Sequence, residues 1–354
     1  MRKKFLEALE RAAKFLEPTR EDLVALLSAD DEESIALFHL ADKTRARFVG
    51  DEIHLRGIIE FSNHCARNCF YCGLRRDNPE VARYRMPPWE IIESAGTAAA
   101  LGCRTIVLQS GEEGYYSGEI LAGIIRAIKK DNDVAITLSV GDRSRLDYTL
   151  FKKAGADRYL LKHETGDPRL FARLRPGTFL EGRLERQRWL SELGYQVGSG
   201  NMVGLPGQTL DTLAEDILLF RRMGIEMAGI GPFIPNDRTP LAGEAGGSLD
   251  MTLKTLAAAR LAMPHAHLPA TTSAATIDPL GRVKALQCGA NVIMPNMTPA
   301  RYRQDYTIYP GKIGLNDTPE ESYARAVMDV EKSGRRVGDG YGHTLRHEKS
   351  CSGL

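Results

Sequence analysis

Cys65, Cys69 and Cys72 stand in the run Glu60-Phe61-Ser62-Asn63-His64-Cys65-Ala66-Arg67-Asn68-Cys69-Phe70-Tyr71-Cys72, a Cys-x3-Cys-x2-Cys spacing. Three thiolates held so close can each take one iron of a 4Fe–4S cluster and leave the fourth iron open, whereas such clusters ordinarily take four cysteines. The open position can bind a ligand, and the amino and carboxylate groups of S-adenosylmethionine (SAM) would fill it. Two plainer readings compete. A structural zinc site wants a fourth Cys or His at matching spacing, and His64, adjoining Cys65, is a poor candidate. A thioredoxin-type pair of Cys69 and Cys72 leaves Cys65 unexplained. Cys103 and Cys288 border apolar runs and read as buried thiols, and Cys351 lies in the C-terminal tail. Six cysteines in 354 residues do not make a disulfide framework. Clustered as they are, they point to metal or redox chemistry in a reducing compartment.

Polar residues close several of the following apolar runs. Val107-Leu108-Gln109 leads into Ser110-Gly111-Glu112-Glu113, Thr137 and Ser139 end the next run, Lys162-His163-Glu164-Thr165 ends another, and Arg183 opens a helical stretch. A carboxylate such as Glu164 suits the ribose hydroxyls or ammonium of SAM, and Arg183 suits its carboxylate as a two-pronged donor. The alternative is a structural Glu164–Arg183 salt bridge. His163 alternates with Glu164, so it is expected to face a helix layer and not the same interior.

The elements that must position these residues follow from periodicity. Strands are predicted over 53–61, 105–109, 134–139, 158–162, 196–202, 227–232, 267–271 and 291–294, with helices near 88–101, 118–130, 145–154, 180–193, 209–223, 250–263, 279–287 and 319–333. Glycines at 102, 155, 194, 224 and 289 stop five of those helices just before a strand. Strand–helix units repeated in this way predict an α/β (β/α)8 TIM barrel, with a doubly wound open sheet as the alternative. Barrel sites lie at the C-terminal ends of strands, which is where the cysteine loop falls. Residues 1–50 read as an N-terminal helical extension, 51–318 as the barrel, and 319–354 as a C-terminal helix and tail that turns irregular after Gly334. In the extension, Phe5, Leu6, Leu9, Ala12, Ala13 and Leu16 recur at helical spacing, and Thr19 with Asp22 can cap a second helix.

A formal net charge of +1, with 26% charged residues in no single-sign block, gives no reason to expect nucleic acid or an anionic membrane as partner. No run of about 20 apolar residues and no signal-peptide pattern is present, so the expected location is cytoplasmic.

The cysteine loop, with Tyr71 just before its third cysteine, resembles that of radical SAM enzymes, and Ser110-Gly111-Glu112 resembles their Gly-Gly-Glu motif with serine in the first glycine's place. Ser-Gly-Glu alone is also a common strand-to-helix turn. More specific is a similarity to the HydE family of radical SAM maturases, which help to build the H-cluster of FeFe-hydrogenase. It spans residues 54–313 and rests on stretches such as Arg56-Gly57-Ile58-Ile59-Glu60-Phe61, Tyr71-Cys72-Gly73-Leu74-Arg75-Arg76, Gly200-Asn201-Met202-Val203-Gly204-Leu205-Pro206-Gly207, Pro269-Ala270-Thr271-Thr272 and Tyr309-Pro310-Gly311-Lys312-Ile313. The methylornithine and biotin synthases share the barrel and the cysteine loop, but are not expected to share the Arg-Gly-Ile-Ile-Glu-Phe or Pro-Ala-Thr-Thr stretches.

The resemblance implies a 4Fe–4S cluster on Cys65, Cys69 and Cys72, and SAM contacts from Tyr71, Ser110, Gly111, Glu112, Thr137, Ser139, Glu164, Arg183, Met202 and Ile230. It implies a substrate cavity lined by Arg56, Gln109, Thr271, Thr272, Met294, Tyr306 and Tyr309. Read from residue type alone, Met202, Ile230 and Met294 suit a barrel core equally well, and Tyr306 and Tyr309 suit a surface loop. The implied chemistry is reductive SAM cleavage to a 5′-deoxyadenosyl radical. That radical acts on a sulfur-bearing iron carbonyl cyanide precursor, an organometallic small molecule. HydG and HydF are the implied maturation partners, and reduced ferredoxin or flavodoxin the electron donor. Other radical SAM reactions of the family, and a non-catalytic iron–sulfur carrier, are the competing functions; a carrier has no need of a SAM-binding pattern. One departure stands out. Some HydE proteins carry three further cysteines after the Tyr-Pro-Gly-Lys stretch, whereas no cysteine occurs here between Ile313 and Cys351, so a single cluster is expected.

Overall fold

The computed structural model describes residues 1–344; Cys351 lies outside them. Three helices, α1 (Lys3–Ala13), α2 (Arg20–Leu27) and α3 (Asp31–Val49), precede the barrel. Helix α2 starts at the expected Thr19–Asp22 capping box, and α3 at a second one, Asp30–Glu33. Helix α1 ends at Ala13, and Phe15 takes φ 55°, so Leu16 is exposed, unlike the buried Phe5 and Ala8.

The barrel then runs β1 (Glu52–Ser62), α4 (Pro88–Ala100), β2 (Thr105–Ser110), α5 (Gly118–Asp131), β3 (Ala135–Ser139), α6 (Arg145–Lys153), β4 (Arg158–Leu160), α7 (Pro168–Leu174), α8 (Leu180–Glu192), β5 (Gln196–Val203), α9 (Leu210–Arg222), β6 (Met227–Pro232), α10 (Leu249–Ala262), α11 (Thr272–Ile277), α12 (Gly281–Gln287), β7 (Val292–Ile293), α13 (Ala300–Arg303), α14 (Pro319–Lys332) and β8 (Arg336–Val337). All strand pairs are parallel, in the order β6-β5-β4-β3-β2-β1-β7. The predicted strand over 267–271 is reduced to two bridges, Met227↔His267 and Pro269↔Val292, which join β6 to β7 and close the ring. Pro269 has no N–H to donate, which cuts the ladder short there. The five glycines predicted to end helices all have positive φ.

The tail predicted to be irregular carries one short strand in its described part. Arg336–Val337 pairs in parallel with Glu52–Ile53, at the N-terminal end of β1. Beyond it the chain crosses the floor of the barrel. The Tyr341 carbonyl accepts from Arg158 Nη2 (2.8 Å) and Thr105 Oγ1 (2.8 Å), and the Gly342 carbonyl from Arg56 Nη2 (3.1 Å). His343 Nδ1 lies 2.8 Å from Arg158 Nη2 and 2.7 Å from Gln196 Nε2. Main-chain carbonyls thus solvate two buried guanidiniums, which would otherwise be costly.

This floor has a pH consequence. Burial, aided by Arg56, lowers the pKa of His54 to about 4, and burial, aided by Arg158, lowers that of His343 to about 4, from the ordinary 6.5. Above about pH 6.5 both imidazoles are neutral in the folded and unfolded chains. Between pH 6.5 and 4 the unfolded chain takes up protons that the folded one refuses, so stability falls as pH falls. The apo protein's melting temperature is therefore expected to be flat down to about pH 6.5 and to drop towards pH 4.5, less steeply in His343→Asn. A flat profile across that window would contradict this account of the floor.

Candidate functional site

At the end of β1 the pairing register slips between Glu60 and Ser62, a bulge that turns the chain out into the cysteine loop. The loop is tied down by main-chain bonds. Ala66 N donates to Glu112 O (2.7 Å), Phe70 N to Leu174 O (2.9 Å) and Gly73 N to Ile308 O (2.7 Å). Gly111 packs so closely beneath it that a Cβ there would overlap the His64 carbonyl oxygen. Gly111 is therefore required by close approach, and not by its φ.

A cavity of about 370 Å³ opens at the C-terminal ends of the strands. The thiols of Cys65, Cys69 and Cys72 enter its wall together with Tyr71. Burial, reinforced by Cys69 and Cys65, pushes the Cys72 thiol well up, so its neighbours stand close enough to feel one another. The buried Tyr71 hydroxyl accepts from Arg175 Nη1 at 2.8 Å. Ser110, Gly111 and Glu112 from the end of β2, Ser139 from β3, Glu164 after β4, Arg183 from α8 and Met202 from β5 line the same space. So do Gln109, Thr271, Thr272, Met294, Tyr306 and Tyr309, with Tyr306 buried and Tyr309 half-buried.

Three expected residues do not line it. Arg56 lies six residues before Ser62, about 20 Å down a strand at ~3.3 Å per residue, and contacts the floor at Gly342 O and Met227 Sδ. Thr137 is buried two residues deeper on β3 than Ser139, and Ile230 is fully buried in the core cluster. The Glu164–Arg183 salt bridge is also absent. Arg183 pairs with Asp142 (3.3 Å), which Arg186 (3.6 Å) and Arg67 (3.7 Å) also face. Glu164 instead takes φ 66°, one of two non-glycine residues with positive φ among those described, and bridges Asn201. Backbone strain of this kind clusters at active sites and ligand clamps. His163 turns outward as expected. Its Nδ1 lies 3.0 Å from Ser199 Oγ and its Nε2 3.7 Å from Asp216.

Two residues to which the sequence reading gave no role complete the wall. Arg67 pairs with Glu112, fastening the cysteine loop to the turn after β2. Lys162 extends over Gly200 and Gly229, where a Cβ would come within 2.9–3.0 Å of its side chain. Glycines in the middle of two neighbouring strands were the available signal for it.

Residues 59–220 match the radical SAM superfamily. The FeFe hydrogenase maturase subunit HydE of Thermotoga maritima is 50% identical over 345 residues, 97% of this chain and 98% of its own length. The chain belongs to the HydE family of radical SAM enzymes. By comparison, the 3-methylornithine synthase of Methanosarcina acetivorans is 30% identical over 276 residues, 77% of this chain and 78% of its own. The solved structure of methylornithine synthase shares the HydE-family chain's fold, with a TM-score of 0.82 at 24% identity, covering 94% of this chain and 97% of its own. That of the maturase HydG from Carboxydothermus hydrogenoformans aligns with a TM-score of 0.72 at 23% identity, covering 83% and 71%. No helix among the described residues is long and apolar enough to cross a membrane.

Family membership implies a 4Fe–4S cluster and SAM, and the HydE-family cavity fits both. Among the described residues, no three His, Cys, Asp or Glu side chains converge tightly enough for a single metal ion. A cuboidal cluster gives each thiolate its own iron and accepts a wider triangle. In the same cavity lining, Arg183 Nε is buried without a partner, a donor left over for an anionic ligand group.

Proposed function

We propose that this HydE-family enzyme acts in assembly of the FeFe-hydrogenase H-cluster, on a sulfur-bearing iron carbonyl cyanide precursor made by HydG and destined for HydF. The observation that carries the reading is one cavity lined by the three thiols together with Gln109, Thr271, Thr272, Tyr306 and Tyr309. When bound, the cluster and SAM would supply a 5′-deoxyadenosyl radical, with one electron from reduced ferredoxin or flavodoxin.

Cys65, Cys69 and Cys72 hold the cluster in this reading. The main chain at Ser110–Gly111 takes the SAM amino group, Arg183 its carboxylate and Glu164 its ribose hydroxyls. The remaining wall excludes water from a reactive species and holds the sulfur within reach, which is how a binding site contributes most to such chemistry. The buried faces of Tyr306 and Tyr309 suit a compact ligand with both apolar and polar parts.

The test is anaerobic turnover of reconstituted, reduced protein with SAM and the HydG product. Formation of 5′-deoxyadenosine with loss of the iron carbonyl cyanide species is expected. Glu164→Gln should weaken SAM binding by about tenfold, the worth of one charge-assisted hydrogen bond. If 5′-deoxyadenosine forms but the precursor is untouched, the maturation reading fails. A methylornithine synthase-like rearrangement, suggested by the 30% identity to the 3-methylornithine synthase of Methanosarcina acetivorans, would then be the reaction to assay.

A further inference from the structure

Residues 304–318 join α13 to α14 with no helix or strand. A connection of that length inside a packed domain is ordinarily functional. It forms part of the cavity wall. Gly73, the residue after Cys72, packs so tightly under it that a Cβ there would overlap the Thr307 carbonyl oxygen. Asn63 Nδ2 donates to Asp305 O at 2.7 Å, and Ile308, Tyr309, Lys312 and Ile313 line the cavity.

One ion pair fastens this strap from within. Lys312 Nζ lies 2.6 and 2.7 Å from the two carboxylate oxygens of Glu60, with both side chains under 10% exposed (8% and 4%). Glu60 is fixed in turn. Its carboxylate accepts from Asn296 Nδ2 (2.9 Å), and its N–H donates to Thr298 Oγ1 (2.8 Å). On the other side, Lys312 Nζ reaches the Tyr306 carbonyl (3.3 Å) and sits 5.0 Å from the centre of the Tyr306 ring. The Tyr306 phenol faces Gln109, one residue before Ser110. A buried ion pair is weak grounds for stability, because desolvating both charges offsets their attraction. Its other use is to fix one arrangement among several. Here it ties the strap to β1, with glycines of positive φ at 311 and 314 as pivots on either side of Lys312 and Ile313.

We propose that Lys312, through Glu60, is a positioning residue that holds Tyr306 against the reaction chamber and so determines whether the radical reaches its substrate. It lies outside the residues assigned to SAM. The inference rests on the reading of this cavity as the substrate chamber, and its test separates the two.

Lys312→Met, Lys312→Arg, Glu60→Gln, Tyr306→Phe and the double variant Lys312→Met/Tyr306→Phe are compared with wild type by two measurements on the reconstituted holoenzyme. The first is hydrogen–deuterium exchange of the 304–318 segment, which reports local opening. Exchange is expected to rise about tenfold or more in Lys312→Met and Glu60→Gln, and to stay near wild type in Lys312→Arg and Tyr306→Phe. The second is substrate consumed per 5′-deoxyadenosine formed. That ratio should fall by about tenfold to a hundredfold in Lys312→Met, as expected of misplacement near a reacting atom, while the Kd for SAM shifts less than about twofold. Lys312→Arg should recover most of the ratio, and the double variant should be no worse than the poorer single one, since residues acting as one unit do not add. Exchange and ratio both near wild type in Lys312→Met, a SAM affinity that falls in step with the ratio, or multiplying effects in the double variant would each overturn the proposal. If wild type consumes no iron carbonyl cyanide precursor, the maturation reading fails by itself, and the exchange comparison still decides the role of Lys312.

Discussion

Replacing Cys65, Cys69 or Cys72 singly by serine is expected to reduce 5′-deoxyadenosine formation by about three orders of magnitude or more, since even a change in the outer shell of a metal site costs ~10–100-fold. Reconstituted wild-type protein should bind about four irons per chain, and each variant well under half of that. The comparison that gives this meaning is Cys103→Ser and Cys288→Ser. Both of those thiols are buried, and burial pushes each pKa up to about 12, just as burial raises those of Cys65 and Cys72. What differs is convergence: Cys72 feels Cys69 and Cys65, whereas Cys103 packs by Gly57 and Cys288 feels Asp42. The two control variants should therefore keep their iron and lose only what a polar atom in a core costs, about 1–3 kcal/mol. Eight irons per chain in wild type, or iron retained without the three cysteines, would contradict the single-cluster assignment. Circular dichroism matched to wild type makes the loss chemical and not a loss of fold.

The cluster loop was legible because its chemistry is local: three sulfurs within eight residues define a site whatever surrounds them. The barrel was legible because strand and helix periods alternate and glycine stops recur. What could not be read is depth along a strand. Arg56 and Glu60 differ by four positions on β1, and the difference places one on the floor against the tail and the other in the chamber wall. Likewise the ladder break at Pro269 left one strand as two bridges, since a missing donor matters only once the partners are known. Pairings between elements distant in the chain were also out of reach. Arg183 and Asp142, Glu60 and Lys312, and Arg158 and Tyr341 are contacts between elements, and single-sequence reasoning had only the nearby Glu164 to offer Arg183. The contacts of the tail were out of reach for a related reason, although it is irregular outside Arg336–Val337 in its described part. Its glycines and polar residues read as irregular, yet Gly338 and Gly342 are needed for close approach. A Cβ at either would crowd the Glu52 or His54 side chain.

Gly111→Ala is expected to be nearly as damaging as loss of a cysteine, although it removes no ligand and adds one carbon. The new Cβ would overlap the His64 carbonyl oxygen and come within 2.9 Å of Cys65 Cβ. The obstruction is main chain, so no side chain can swing away. Relief requires moving either the end of β2, which is paired to β1 at Ser62↔Ser110, or the cysteine loop, which is held by the Ala66–Glu112 bond and the Arg67–Glu112 pair. The strand is the stiffer of the two, since it is paired on both sides along its length, so the loop moves and Cys65 moves with it. A shift of about 1 Å at a reacting centre can cost ~10²-fold, and a comparable fall in 5′-deoxyadenosine formation is the expected reading, with weakened cluster retention. Overpacking also costs about 1–3 kcal/mol of stability. Gly123→Ala is the matched control. It lies inside α5, where a Cβ meets nothing within 4 Å, so it should be neutral or stabilising by up to about 1 kcal/mol through helix propensity. Equal behaviour of the two variants in iron content and SAM cleavage would show that the cysteine loop does not depend on contact with Gly111. A defect confined to Gly111→Ala would locate the loop's register in that single absent side chain.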